Sequence, residues 1–162
     1  MRTRCSAIAV AALAALALTG VAAAQGGPFQ YHALTPCRVV DSRTVNATEG
    51  TNGSPISNGY HSFRIQGQCG VPNGAAAITG NFTIVNPSAS GFLVAWPANQ
   101  PHPNASMCNH LANETLACGA IVPLGPVSQA TDKDITIQNA LFFAPAPSGS
   151  ADFIIDVTGY FQ

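Results

Sequence analysis

Ala77-Ile78-Thr79-Gly80-Asn81-Phe82-Thr83-Ile84-Val85 alternates without a break. Ile78, Gly80, Phe82 and Ile84 point one way and Thr79, Asn81 and Thr83 the other, the period-two pattern of a strand with one buried and one wet face. The next residues, Asn86-Pro87-Ser88-Ala89-Ser90-Gly91, are turn formers, and Phe92 to Trp96 reads as the strand that answers in a hairpin.

The same grammar extends in both directions. Tyr60 to Ile65 places Phe63 and Ile65 on one face, and Asp152 to Phe161 places Phe153, Ile155 and Val157 on one face. Pro97, Pro101 and Pro103 force a loop after Trp96. Met107–Leu111 and Ala120–Leu124 read as a pair of strands. Asp134–Phe143 reads as one strand, or two broken near Asn139, and Ala144 to Gly149 as a turn. No helix-period segment follows the N-terminal region. Eight or nine short strands without intervening helices predict an all-β fold, an antiparallel, jelly-roll-like β-sandwich.

Residues 1–24 have the form of a secretory signal. Arg2 and Arg4 precede an apolar run from Ala7 to Leu18, and Ala22-Ala23-Ala24 supplies an A-x-A cleavage site before Gln25. The apolar run is short for a membrane span. Residues 25–30 are expected to be a flexible lead and 31–162 a single domain. The expected location is secreted, extracellular or on the cell surface, with the periplasm as the alternative.

Of five cysteines, Cys5 leaves with the leader, and Cys37, Cys69, Cys108 and Cys118 remain. An even number in an exported chain reads as two disulfides with three possible connectivities. Sequence neighbourhood favours Cys37–Cys69 and Cys108–Cys118. Metal-ligand spacing is missing, apart from Cys108 and His110, so neither metal nor cofactor is expected.

Only 8% of the residues are charged, where soluble domains average about a quarter. Beyond the leader four cations (Arg38, Arg43, Arg64, Lys133) face seven acids. So few cations argue against nucleic-acid binding, and no basic amphipathic stretch suggests a membrane partner. A weakly charged surface does little to keep copies apart, which is compatible with self-association.

Pro36-Cys37-Arg38-Val39-Val40-Asp41-Ser42-Arg43, Cys69-Gly70-Val71-Pro72, the Asn81…Pro87…Gly91-Phe92-Leu93 run and Asp156-Val157-Thr158-Gly159-Tyr160-Phe161 occur in this order over residues 29–162. Together they resemble a β-rich module common in exported and surface-attached bacterial proteins, where it often sits beside enzymes or adhesive domains. The resemblance implies a β fold and a place outside the cell, and carries over no catalytic role.

Arg38, Asp41, Arg43 and Asp156 all lie inside these motifs. They read as a buried or half-buried ion-pair network joining the first strand to the last, with a carboxylate- or sugar-binding site as the other reading. Trp96, Tyr60 and Tyr31 are the aromatics able to stack on a sugar ring, although a lone strand Trp also suits a core. Asp132-Lys133-Asp134 supplies too few oxygens for calcium and reads as a charged turn. His32, His61, His102 and His110 are scattered, no G-x-S-x-G elbow occurs, and no catalytic residue is assigned. The expected function is a non-enzymatic structural or adhesive module that contacts copies of itself or a surface polymer. The alternative is a carbohydrate-binding module for cell-wall or plant polysaccharide.

Overall fold

The computed structural model describes residues 28–46, 51–52, 56–142 and 149–162. The expected leader and most of the expected turn from Ala144 to Gly149 lie outside these residues. The described chain forms β1 (Tyr31–Asp41), β2 (Val45–Asn46), β3 (Thr51–Asn52), β4 (Ile56–Ser57), β5 (Gly59–Phe63), β6 (Ala77–Val85), β7 (Gly91–Pro97), β8 (Cys108–His110), β9 (Leu116–Pro123), β10 (Ile135–Leu141) and β11 (Ser150–Phe161).

One sheet has the order β1-β11-β6-β9, with β4 added at one end of β11, and the other has the order β5-β10-β7-β8. Every pairing is antiparallel. The principal strands run β1, β5, β6, β7, β8, β9, β10, β11, and the chain crosses between sheets at most steps. These two four-strand orders are those of a jelly roll, two Greek keys wound together. The fold class read from the sequence is therefore the fold observed.

The core lies between the sheets. Ile78, Phe82, Ile84, Phe153, Ile155 and Val157 enter it from one side, and Phe63, Leu93, Ile135 and Ile137 from the other. Phe153 sits at its centre, with ring centroids 6.0 Å from Phe63 and 6.5 Å from Phe82. The alternation from Ala77 to Val85 appears in full, each of Ile78, Gly80, Phe82 and Ile84 being buried.

Two strand pairings differ from expectation. β6 and β7 do not form a hairpin: β6 pairs with β11 and β9, and β7 with β10 and β8. The Asn86–Ser90 segment is a corner between sheets. Asn86 takes φ +50°, while Ser88 N–H donates to Ser150 O and Asn113 N–H to Pro87 O. Likewise β8 and β9 belong to different sheets, so they do not pair as expected of Met107–Leu111 and Ala120–Leu124. In both cases alternation fixes which face is buried without fixing the neighbour. A five-residue link spans the roughly 10 Å between sheets as readily as it closes a hairpin. β10 runs unbroken through Asn139, which is fully buried.

Candidate functional site

Strand parity decides what the four-stranded sheet shows to solvent. In β10, Ile135, Ile137 and Asn139 face the core, which turns Thr136, Gln138 and Ala140 outward. In register with them, Tyr60 and Ser62 of β5 lie on one side, and Phe92, Val94 and Trp96 of β7 on the other. β5, β7, β8 and β10 contain no Asp, Glu, Lys or Arg.

The loop after β7 folds back over this face. Trp96 Nε1–H donates to Gln100 O at 3.1 Å, and His102 Nε2 lies 2.6 Å from Gln138 Oε1, the geometry of an Nε2–H donor. His102 stacks on Tyr60 with centroids 5.5 Å apart, and Trp96 meets both rings edge-on. Trp96 is therefore covered, 6% exposed, and supports the cluster from beneath. Tyr60 is 60% exposed and, with the exposed His102, meets solvent. Further along the face, Phe92 and the exposed Phe142 lie 5.8 Å apart.

The third aromatic singled out in the sequence, Tyr31, is on the other sheet. Its ring lies over Gly159, where a Cβ would come within 2.5 Å, and its hydroxyl reaches Thr158 O at 3.4 Å. Tyr31 also touches Phe161. This is the physical content of the closing Gly159-Tyr160-Phe161 motif: a missing side chain makes room for the ring of the first strand. Tyr31, Tyr60 and Trp96 do not form one row.

The sequence reading had no route to His102, Gln138, Phe92 and Phe142 as neighbours of Tyr60. Parity alone would have placed Gln138 and Phe92 on the outer face, but the pairing of β5 with β10 and the fold-back of the proline loop were needed to gather them.

Arg38, Asp41, Arg43 and Asp156 do come together, on the outer face of the other sheet. Arg38 grips Asp156 with Nε–Oδ1 at 2.8 Å and Nη2–Oδ2 at 3.0 Å across β1 and β11, and reaches Asp41 at 3.4 Å. The Arg38 and Arg43 side chains are nearly half exposed, while Asp41 is nearly buried. The hydrogen bond to Asp156 raises the Arg38 guanidinium above its usual range. With every charge matched to another in the group, the arrangement pins β1 to β11.

The disulfides are Cys37–Cys69 and Cys108–Cys118. The first ties β1 to the loop after β5. The second joins β8 to β9 and so links the two sheets. Two disulfides suit an oxidising compartment, and among the described residues no helix is long and apolar enough to cross a membrane.

Two further polar groups lie inside. Asp134 is fully buried and accepts from the backbone N–H groups of Ile65 at 2.9 Å and Gln66 at 2.7 Å. Burial raises its carboxyl above the ordinary value, against those two donors. Beside it, Arg64 donates to Gln66 O, Gln129 O and Asn73 Oδ1. Asp132, by contrast, caps the Ser128 and Gln129 amides and is lowered by them. Thus Asp132 closes its own loop, Asp134 ties that loop to the backbone after β5, and among the described residues no group of three His, Cys, Asp or Glu side chains could hold a metal. His110, 4% exposed, and Asn139 are buried, and their side-chain polar atoms find no well-formed hydrogen bond among the described residues.

The fold and these sites define an all-β, disulfide-stapled jelly roll with an uncharged aromatic and amide face. No protein-family model matches the chain, nor does any curated protein or solved structure.

Proposed function

We propose that the protein is an exported, non-enzymatic adhesive module that holds a neutral polysaccharide on the outer face of the β5-β10-β7-β8 sheet. The observation that carries this reading is the exposed Tyr60 ring, braced by His102 and Trp96 beside Gln138, on strands without a single charge. A tyrosine presents a flat apolar face and a polar tip. A pyranose ring presents C–H bonds on its faces and hydroxyls on its rim, which suits that pairing. Gln138 and the imidazole of His102 supply polar groups at the ring's edge, and Phe92 and Phe142 extend the apolar track. The lack of charge on these strands favours an uncharged polymer over an acidic one. Export is supported by the leader read in residues 1–24 and by the two disulfides.

The test is retardation of the oxidised protein in native gels containing hydroxyethyl cellulose, xylan or mixed-linkage β-glucan. Tyr60→Ala should abolish retardation while leaving the fold intact, because the ring is mostly outside the core. Absence of retardation by every neutral polymer, or retardation indifferent to Tyr60→Ala, would overturn the reading.

A further inference from the structure

Each sheet ends in two edge strands, and three of the four are poor templates for another strand. β1 carries Pro36, Arg38 and two register shifts. β8 is three residues long and β5 five. Proline, charge, irregular register and shortness are the devices by which edges are kept from pairing. β9 carries little of this. It is eight residues long and pairs with β6 in unbroken register from Leu116 to Pro123, with its single proline at the final position. Its only sheet neighbour among the described residues is β6. From Thr115 to Thr131 the sequence has no charged residue.

The outward side chains of β9 are equally unguarded. Ala117, Gly119 and Ile121 are exposed, Ile121 at 62%, and a Cβ on Gly119 would meet nothing within 4 Å. Beside the C-terminal half of the strand opens an apolar groove of about 410 Å³, lined by Val94, Trp96, Pro103, Met107, Ile121 and Pro123.

Charge selects the occupant. When two identical strands pair antiparallel about a two-fold axis, each side chain near the axis stands opposite or close to its own copy. Like charges placed so are destabilising. β1, with Pro36 and a twice-shifted register, is poorly suited to such self-pairing, whereas β9 is regular and has no charge to set against its own copy.

We propose that two copies of this chain pair through β9, antiparallel about a two-fold axis centred at Gly119, so that the β1-β11-β6-β9 sheet continues into the same sheet of its partner. In this register Ala117 of one copy stands opposite Ile121 of the other, small against large, and the two glycines meet at the axis. The seam is an edge of the sheet that does not contain Tyr60, and although the groove beside it shares Trp96 with the Tyr60 cluster, the strand pairing does not depend on the polysaccharide reading.

Sedimentation velocity of the oxidised protein over a wide concentration range reads the mass directly. A monomer–dimer equilibrium is expected. Ile121→Lys should weaken it at least about tenfold with an unchanged circular dichroism spectrum, the side chain being exposed. The double variant Ala117→Glu/Ile121→Lys should restore the dimer, because the introduced lysine then faces the introduced glutamate of the other copy. Tyr60→Ala should leave the dimer intact. A wild-type protein monomeric at every concentration, or a dimer indifferent to Ile121→Lys, overturns the proposal. A double variant that stays monomeric overturns the register centred at Gly119.

Discussion

Asp41 receives Arg43 through two hydrogen bonds, Nε to Oδ1 and Nη2 to Oδ2, both at 2.8 Å, and takes the Arg43 backbone N–H on Oδ1 at 3.1 Å. With Arg38 on its other side, this nearly buried carboxylate is the hub through which the Arg38–Asp156 pair is joined to the end of β1.

The two acids should therefore differ in weight. Asp41→Ala removes the nearly buried acceptor, 10% exposed, of four donors, three from Arg43 and one from Arg38, and should cost about 2 kcal/mol. Asp156→Ala breaks a well-formed but solvent-open pair and should cost about 1 kcal/mol or less. Urea unfolding of the two variants checks the order. The Arg43 hydrogen bond, ahead of the other influences, holds the Asp41 carboxyl below its ordinary 3.8. A depressed folded value means that this contribution is present above pH 3.8 and is lost as the pH falls through the folded value.

His110 should give a second, separate pH dependence. Burial lowers its folded value below 6.5, against weaker raising influences from the Leu111 backbone and the Glu114 carboxylate. The neutral ring is the form the fold accepts, so the unfolded chain binds the proton more readily. Stability should be full above about pH 6.5 and fall as the pH drops below it towards the folded value. His110→Leu removes two buried nitrogens that make no well-formed hydrogen bond among the described residues, and should flatten this slope while raising stability by about 1 kcal/mol. The raised carboxyl of Asp134 works in the opposite sense, its effect on stability being most favourable below pH 3.8 and worsening as the pH rises through its folded value. The difference between wild type and His110→Leu across pH 7.5 to about 5 isolates the histidine.

The disulfides should rank by the loops they close. Cys37–Cys69 spans 32 residues and Cys108–Cys118 spans 10. Chain entropy gives roughly 4 and roughly 3 kcal/mol respectively. Replacing each pair by alanines and measuring denaturant midpoints checks the ranking. A Cys108/Cys118 variant that loses more than the Cys37/Cys69 variant would show that tying sheet to sheet outweighs loop length.

Much of this was legible in the sequence because jelly-roll strands with one wet face write their burial in period two. Ala77–Val85 and the odd-numbered residues of β11 from Phe153 to Val157 state it plainly, and both disulfides were legible from neighbourhood. What alternation cannot encode is which strand lies alongside. The Asn86–Gly91 link has a hairpin's composition and turns a corner instead. The Tyr60 cluster was hidden for the same reason: Tyr60, Trp96, His102 and Gln138 meet only once β5, β10 and β7 are adjacent. The ion-pair group was more visible, since its members stand out in a chain so poor in charge.

Glycine spacing gives the sharpest local test of the fold. Gly91 lies where β7 passes β10, and a Cβ built there would come 2.0 Å from the carbonyl oxygen of Ala140, a backbone atom that cannot swing aside. Gly91 also pairs with His110 of β8, so the backbone is hemmed on both sides. Gly119 has a Cβ direction that opens to solvent. Gly91→Ala must push β10 and β7 apart and should cost about 3 kcal/mol or prevent accumulation of folded protein. Gly119→Ala gains strand stiffness at an unstrained position and should be neutral or stabilising by up to about 1 kcal/mol. Thermal unfolding of the two single variants beside wild type reads the contrast. Equal effects would mean that β7 does not pass β10 at the distance described, and with it the register that gathers the Tyr60 cluster would fail.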